Sequence, residues 1–285
     1  MTATATTQRQ IARLVPAQRV SEGAGVIVHR ALGTAKMRHL DPFLMLDHFS
    51  SDNPDDYIAG FPDHPHRGFI TLTYMLNGHM EHKDSMGNRG DLRAGGVQWM
   101  KAASGVIHSE MPQQTDGLMR GFQLWINLPG AEKMSTPSYQ EFDATRVPEI
   151  IRDGVSVRLL SGVFGDRVGP IMDDHTGLSY LDISAAPGSY VTHRIAEDMT
   201  AFLYVFEGAV LVGDREVPQQ HLGVLSQGSQ VRIAASGAGA RLILVAGRPL
   251  GEPIVQYGPF VMNTADQIEQ ALADYREGRL VQAAS

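Results

Sequence analysis

A repeat within a chain of short apolar runs constrains this fold more than any other feature. Tyr74-Met-Leu-Asn-Gly78 corresponds to Tyr204-Val-Phe-Glu-Gly208, and Leu92-Arg-Ala-Gly-Gly96 to Leu222-Gly-Val-Leu-Ser226, both at an offset of 130 residues. Ala102-Ala103-Ser104-Gly105 matches Ala234-Ala235-Ser236-Gly237 at an offset of 132. A near-constant offset implies two copies of one unit in tandem. The unit is β. Runs such as GFITLTYML, GFQLWINL, LSYLDISA and AFLYVFEGAVLV alternate with turns at Gly60-Phe61-Pro62, Gly87-Asn88, Gly95-Gly96 and Pro187-Gly188. Short strands with frequent turns indicate an all-β sandwich or barrel. Only the stretch Thr264–Arg279 reads as helical, with Thr264 as cap, Gln267 as its capping-box partner, and Ile268, Ala271, Leu272 and Tyr275 at helical spacing. The linker is expected within Pro129–Pro148, which places one domain at 1–135 and a second, carrying the helix, at 136–285.

Composition narrows the class. With 43% hydrophobic and 19% charged residues, the 285-residue chain can pack a core and carries no mark of disorder. A net charge of −7 argues against nucleic acid as a direct ligand. The absence of cysteine excludes thiolate zinc sites, iron–sulfur clusters, disulfides and a cysteine nucleophile. The first twenty residues lack the apolar run of a signal peptide, and no stretch approaches a membrane span. A cytoplasmic monomer is the expectation.

Two short pairs carry the chemistry: His64-Pro65-His66 and His108-Ser109-Glu110. Residues two apart in a strand point to one face, so each pair can aim two donors into one cavity. Three imidazoles and a carboxylate suit a single divalent first-row ion, Fe, Mn, Ni, Cu or Zn, and leave positions open on an octahedral ion. One HxH alone usually marks solvent-facing polar residues. HxH followed by HxE on a later strand is a stronger coincidence and predicts a metal centre. Pro62 and Pro65 place the first pair on an edge strand or strand start. His48 and His82 are candidates to orient a ligand; His48 reads equally as a hydrogen-bonded surface histidine, and His82 reads more readily as one. Arg67 reads either as a fixed charge near the cavity or as a surface ion pair, and Met75, Met80, Met100 and Met111 as core filler. Adding the repeat offset to the first pair lands on Arg194 and Ala196, beside a lone His193. The counterpart of His108–Glu110 is expected near Gly239-Ala240-Arg241. The second copy therefore reads as metal-free, and His193 as a surface or hydrogen-bonding residue.

The same segments carry a family likeness. Asp41-Pro-Phe-Leu-Met-Leu-Asp-His48, Phe61-Pro-Asp-His-Pro-His-Arg-Gly-Phe69, Gly105-Val-Ile-His-Ser-Glu-Met-Pro112, Gly121-Phe-Gln-Leu-Trp-Ile-Asn-Leu-Pro129 and Gly258-Pro-Phe-Val-Met-Asn-Thr264 resemble the pirin family of the cupin superfamily. The resemblance implies a bicupin, two tandem jelly-roll barrels, with one metal, commonly iron, in the first. It places the ligands on His64, His66, His108 and Glu110. One position departs: Ile70 stands where pirins resembling this chain usually carry glutamate, which puts a carboxylate facing the substrate or the ligands in question. Two activities are implied. One is a metal-dependent dioxygenase acting on a flavonol such as quercetin and on dioxygen, with Glu110 as ligand and proton acceptor. The other is a non-catalytic metal- or redox-sensing regulator that binds partner proteins.

Overall fold

The computed structural model describes residues 6–281 and is built almost wholly of antiparallel strands that form two compact units. One unit combines Gln18–Gly33, Asp41–Thr145 and Leu250–Ser285. Its larger sheet orders Ser138–Phe142, Val97–Lys101, Phe69–Asn77, Met119–Asn127, Phe43–Ser51, Val26–Leu32 and Gln18–Glu22. Its smaller sheet orders Phe61–His66, Val106–Pro112, His79–Asp84 and Arg89–Arg93. Val26, Val28, Phe49 and Met75 from the larger sheet cluster with Met80 and Leu92 from the smaller. Alternation explains the inner face: Phe69, Thr71, Thr73 and Met75 share a side, with Ile70, Leu72 and Tyr74 on the other. As expected from its prolines, Phe61–His66 is an edge strand.

The second unit combines Met1–Ala17, Thr34–Leu40 and Arg146–Pro249. Two long strands, Thr200–Val212 and Gln230–Gly247, run through its nine-stranded sheet. Its interior is aliphatic, including Val157, Leu159, Leu181, Ile183, Leu203, Val205, Leu242 and Leu244.

A single cut after residue 135 does not describe this division. The strand Ile11–Pro16 pairs with His221–Leu225 and so completes the second unit's sheet. The C-terminal helix belongs to the first unit: Ile268 and Ala271 pack with Phe260, Met262 and Leu280 against Ile107. The helix spans Ala265–Arg276, and Thr264 and Gln267 form the capping box read from sequence.

The ladders confirm the duplication and correct its register. Tyr74 pairs with Val97, and Tyr204 with Leu222. Leu222 is thus the counterpart of Val97, five positions beyond the Leu92 that the sequence offset selects. Ala102–Gly105 forms the turn between Val97–Lys101 and Val106–Pro112, whereas Ala234–Gly237 lies within the long strand Gln230–Gly247. Shorter connections in the second unit break the constant offset after the first block.

Candidate metal centre

Two strands and their register assemble the site. Phe61–His66 and Val106–Pro112 are antiparallel neighbours, with His64 directly opposite His108 and His66 opposite Val106. The rings of His64 and His108 lie 4.3 Å apart between centroids, His66 and His108 4.8 Å, and His64 and His66 4.7 Å. Their ligand nitrogens all fall within 4.8 Å of one another.

These imidazoles have the unsatisfied atoms that an ion would complete. Both ring nitrogens of His66 and Nε2 of His108 are buried without a hydrogen-bond partner, an arrangement unfavourable by about 1–3 kcal/mol per group unless something binds there. The Nδ1 atom of His64 lies 2.8 Å from the Pro62 carbonyl, so Nδ1–H donates and Nε2 keeps its lone pair. Burial, followed by the neighbouring imidazoles, pushes His66 and His108 well below the ordinary histidine range. Both are therefore neutral, as metal ligation requires. His64 is only half-buried and gives the cluster its contact with solvent. The donor set fits a divalent first-row ion.

Glu110 shares the interior but stands outside the imidazole group. The register shifts between His108 and Glu110, so Glu110 lies opposite Phe61. Its carboxylate accepts from the Thr73 hydroxyl at 3.0 Å and from Gln123 Nε2 at 2.8 Å. Gln123 Oε1 in turn accepts from Trp125 Nε1 at 3.1 Å. Because the amide uses its nitrogen on one side and its oxygen on the other, it can only donate to Glu110. Thr73 and Gln123 were not singled out in the sequence, although a glutamine within the apolar run of Gly121–Pro129 was a readable cue. The adjoining cavity, about 10 Å³ and lined by Val28, Asp47, Phe61, Met80 and Glu110 among others, has room for about one water.

The remaining candidates sort differently from expectation. His82, the weaker of the two orienting histidines, is buried against His108, with their Nδ1 atoms 3.4 Å apart. His48 stacks on Phe122 on the opposite side of its sheet and does not reach the cluster. Arg67 is neither a cavity charge nor a surface pair: its buried guanidinium binds Asp274 at 2.7 Å and the Ser104 carbonyl at 2.5 Å. Ile70 is fully buried on the side facing away from Thr71 and Thr73, so its replacement of glutamate does not alter the wall of the cavity.

The second barrel serves as an internal comparison. His193 pairs with Val231 as His64 pairs with His108, and Val212 pairs with Ile233 as His82 pairs with Glu110. The places of His66, His108 and Glu110 are thus held by Ile195, Val231 and Ile233, rather than by residues near Gly239–Arg241. His193 is buried and stacked on Phe164, not on the surface. The same framework closes with aliphatic side chains at these positions, so the polar cluster of the first barrel is not a requirement of the fold.

Two jelly-roll units with a buried imidazole cluster in one of them define a bicupin. Residues 25–126 match the family model described as Pirin, and residues 180–281 match the Pirin C-terminal cupin domain. The chain belongs to the pirin family. A Pseudomonas aeruginosa protein provisionally named quercetin 2,3-dioxygenase is 47% identical, over 96% of this chain and 99% of its own. A pirin-like protein of Caulobacter vibrioides is 46% identical, over 95% and 99%. The crystal structure of a quercetin 2,3-dioxygenase from Acinetobacter baumannii superposes with a TM-score of 0.89 at 32% identity, covering 96% of this chain and 98% of that one. Among the described residues no helix is long and apolar enough to cross a membrane.

Proposed function

We propose that the first barrel holds one divalent metal, iron foremost, through His64, His66 and His108, with Glu110 as the fourth ligand, and that the site oxygenates a flavonol such as quercetin. The observation that carries this reading is the set of partnerless, buried nitrogens on His66 and His108 converging with His64. The names of the Pseudomonas and Acinetobacter relatives supply the substrate class. When bound, such an ion supplies Lewis acidity toward a substrate hydroxyl and one-electron chemistry toward dioxygen. The protein's share is positioning and proton transfer. Half-buried His64 marks the way in. Glu110, kept as an acceptor by Thr73 and Gln123, takes the hydroxyl proton. Phe69 and Trp125, packed edge-on to His66 at 5.0 and 5.2 Å, form an apolar wall that excludes water.

One observation favours a second reading, a metal- or redox-sensing regulator acting through a protein partner. The cavity at Glu110 is about 10 Å³, against roughly 300–1,000 Å³ for pockets that enclose a drug-sized molecule. This cavity does not itself take a flavonol. Loss of flavonol absorbance under oxygen, measured with the Fe(II)-, Mn(II)- and Cu(II)-loaded protein, tests the enzyme. Bound metal without turnover for any ion removes it and leaves the regulator.

A further inference from the structure

A chain of three side chains runs from the cluster to the neighbouring strand His79–Asp84 of the smaller sheet. His108 Nδ1 lies 3.4 Å from His82 Nδ1, and His82 Nε2 lies 3.2 Å from the Asp84 carboxylate. The His82 and Asp84 side chains are 1% and 0% exposed, so water does not compete for these bonds. Asp84 is fixed by donors of its own turn: the backbone N–H groups of Met86 at 2.9 Å and Asn88 at 3.0 Å, and Asn88 Nδ2 at 2.9 Å. The His82 ring is clamped by stacking on Tyr139, 4.9 Å away.

With Asp84 ionised and His82 neutral, the donor and acceptor roles are fixed. An ionised carboxylate only accepts, so His82 Nε2 carries a proton and donates it to Asp84. A neutral His82 then has its lone pair on Nδ1, and His108 must donate from its own Nδ1. The lone pair of His108 is left on Nε2, which is the atom of that ring with no partner in the protein. The second barrel, which has Val231 in place of His108, has Val212 in place of His82. The relay is missing where its ligand is missing.

We propose that Asp84 and His82 are positioning residues that lock His108 in the Nδ1–H tautomer and aim its Nε2 at the metal. The inference rests on the metal reading above, but the tautomer itself is a property of the metal-free protein. It extends by one imidazole the usual arrangement in which a carboxylate or carbonyl orients a metal-bound histidine.

Long-range proton–nitrogen correlation spectra of the ¹⁵N-histidine-labelled apoprotein test the lock directly. The expected result is His108 protonated on Nδ1 and His82 on Nε2. His82→Phe should release His108 toward the other tautomer, whereas His82→Gln, whose carbonyl can accept from His108, should hold it. Titration with Co(II) gives a second readout: affinity should fall about 10–100-fold in His82→Phe and recover in His82→Gln. A wild-type spectrum with the His108 proton on Nε2 overturns the proposal, even if His82→Phe fails to fold. So does a His82→Phe protein with unchanged tautomer and Co(II) affinity. If wild type shows the expected tautomers but takes up no Co(II), the metal reading fails while the lock stands.

Discussion

Removing His108 and removing the charge of Glu110 have different consequences in this barrel. The three imidazoles converge on one point, so His108→Ala leaves two donors facing a hole, and metal content after dialysis should drop from one ion per chain toward none. Glu110→Gln keeps all three imidazoles. Gln123, held by Trp125, can only donate, so the new amide turns its carbonyl to Gln123 and its NH2 to the Thr73 hydroxyl, which can accept. This variant should fold, bind the ion more weakly because a neutral amide oxygen replaces the charged fourth donor, and lose about 10²–10⁴ in flavonol turnover as the proton acceptor goes. Elemental analysis beside a turnover assay checks both halves. The histidine pairs were legible because strand periodicity is local and needs no knowledge of neighbours. The separation of Glu110 from them was not, because it depends on a register shift against Phe61 that belongs to a partner strand. His82 was undervalued for the same reason: only cross-strand pairing brings it beside Glu110 and His108.

At the scale of elements, the C-terminal helix supports the two ligand-bearing strands. Its neighbour Leu280 approaches the turn before His108 so closely that a Cβ on Gly105 would lie 2.4 Å from the Leu280 carbonyl oxygen. Gly105 also holds φ at +146°, a region closed to side chains. Gly105→Ala should destabilise the first barrel by more than about 1 kcal/mol. Thr264→Ala, which removes one half of the capping box, should remove about 1 kcal/mol and lower the melting temperature by about 2–4 °C. A thermal melt showing no shift for Thr264→Ala would mean that the helix does not contribute to the cooperative unit. The start and the buried face of this helix were readable because caps and 3.6-residue spacing are written within a dozen residues, although it ends at Arg276 rather than Arg279. Its place on the first barrel was not, since contacts such as Ile268 with Phe260 and Ile107 join segments far apart in sequence. The repeat shows the same limit. Tyr74 and Tyr204 align correctly, but loops of different length shift everything beyond them.

Across the whole molecule, the two barrels put one framework to two uses, and pH should separate them. The second barrel keeps one imidazole, His193, at the place of His64 but surrounds it with Ile195, Val231 and other aliphatic residues. Burial pushes His193 down to about 4. In the unfolded chain it titrates near 6.5. Between those values the unfolded state binds the proton and the folded state does not, so stability rises with pH across this window. Acidification from about pH 7 to pH 4 should therefore remove about 3 kcal/mol through this residue alone, and the loss levels off below pH 4 as the folded state also takes up the proton. His193→Leu removes the titration and matches the aliphatic surroundings, so its urea midpoint should fall less steeply with acid than the wild type's. The comparison of slopes cancels the other acid-sensitive groups, which the two proteins share. In the first barrel, by contrast, a bound divalent ion at a concentration 100-fold above its dissociation constant adds about 2.7 kcal/mol near neutrality, and acid removes that contribution by protonating the ligands. Equal pH slopes for wild type and His193→Leu would show that His193 is not buried in the neutral form.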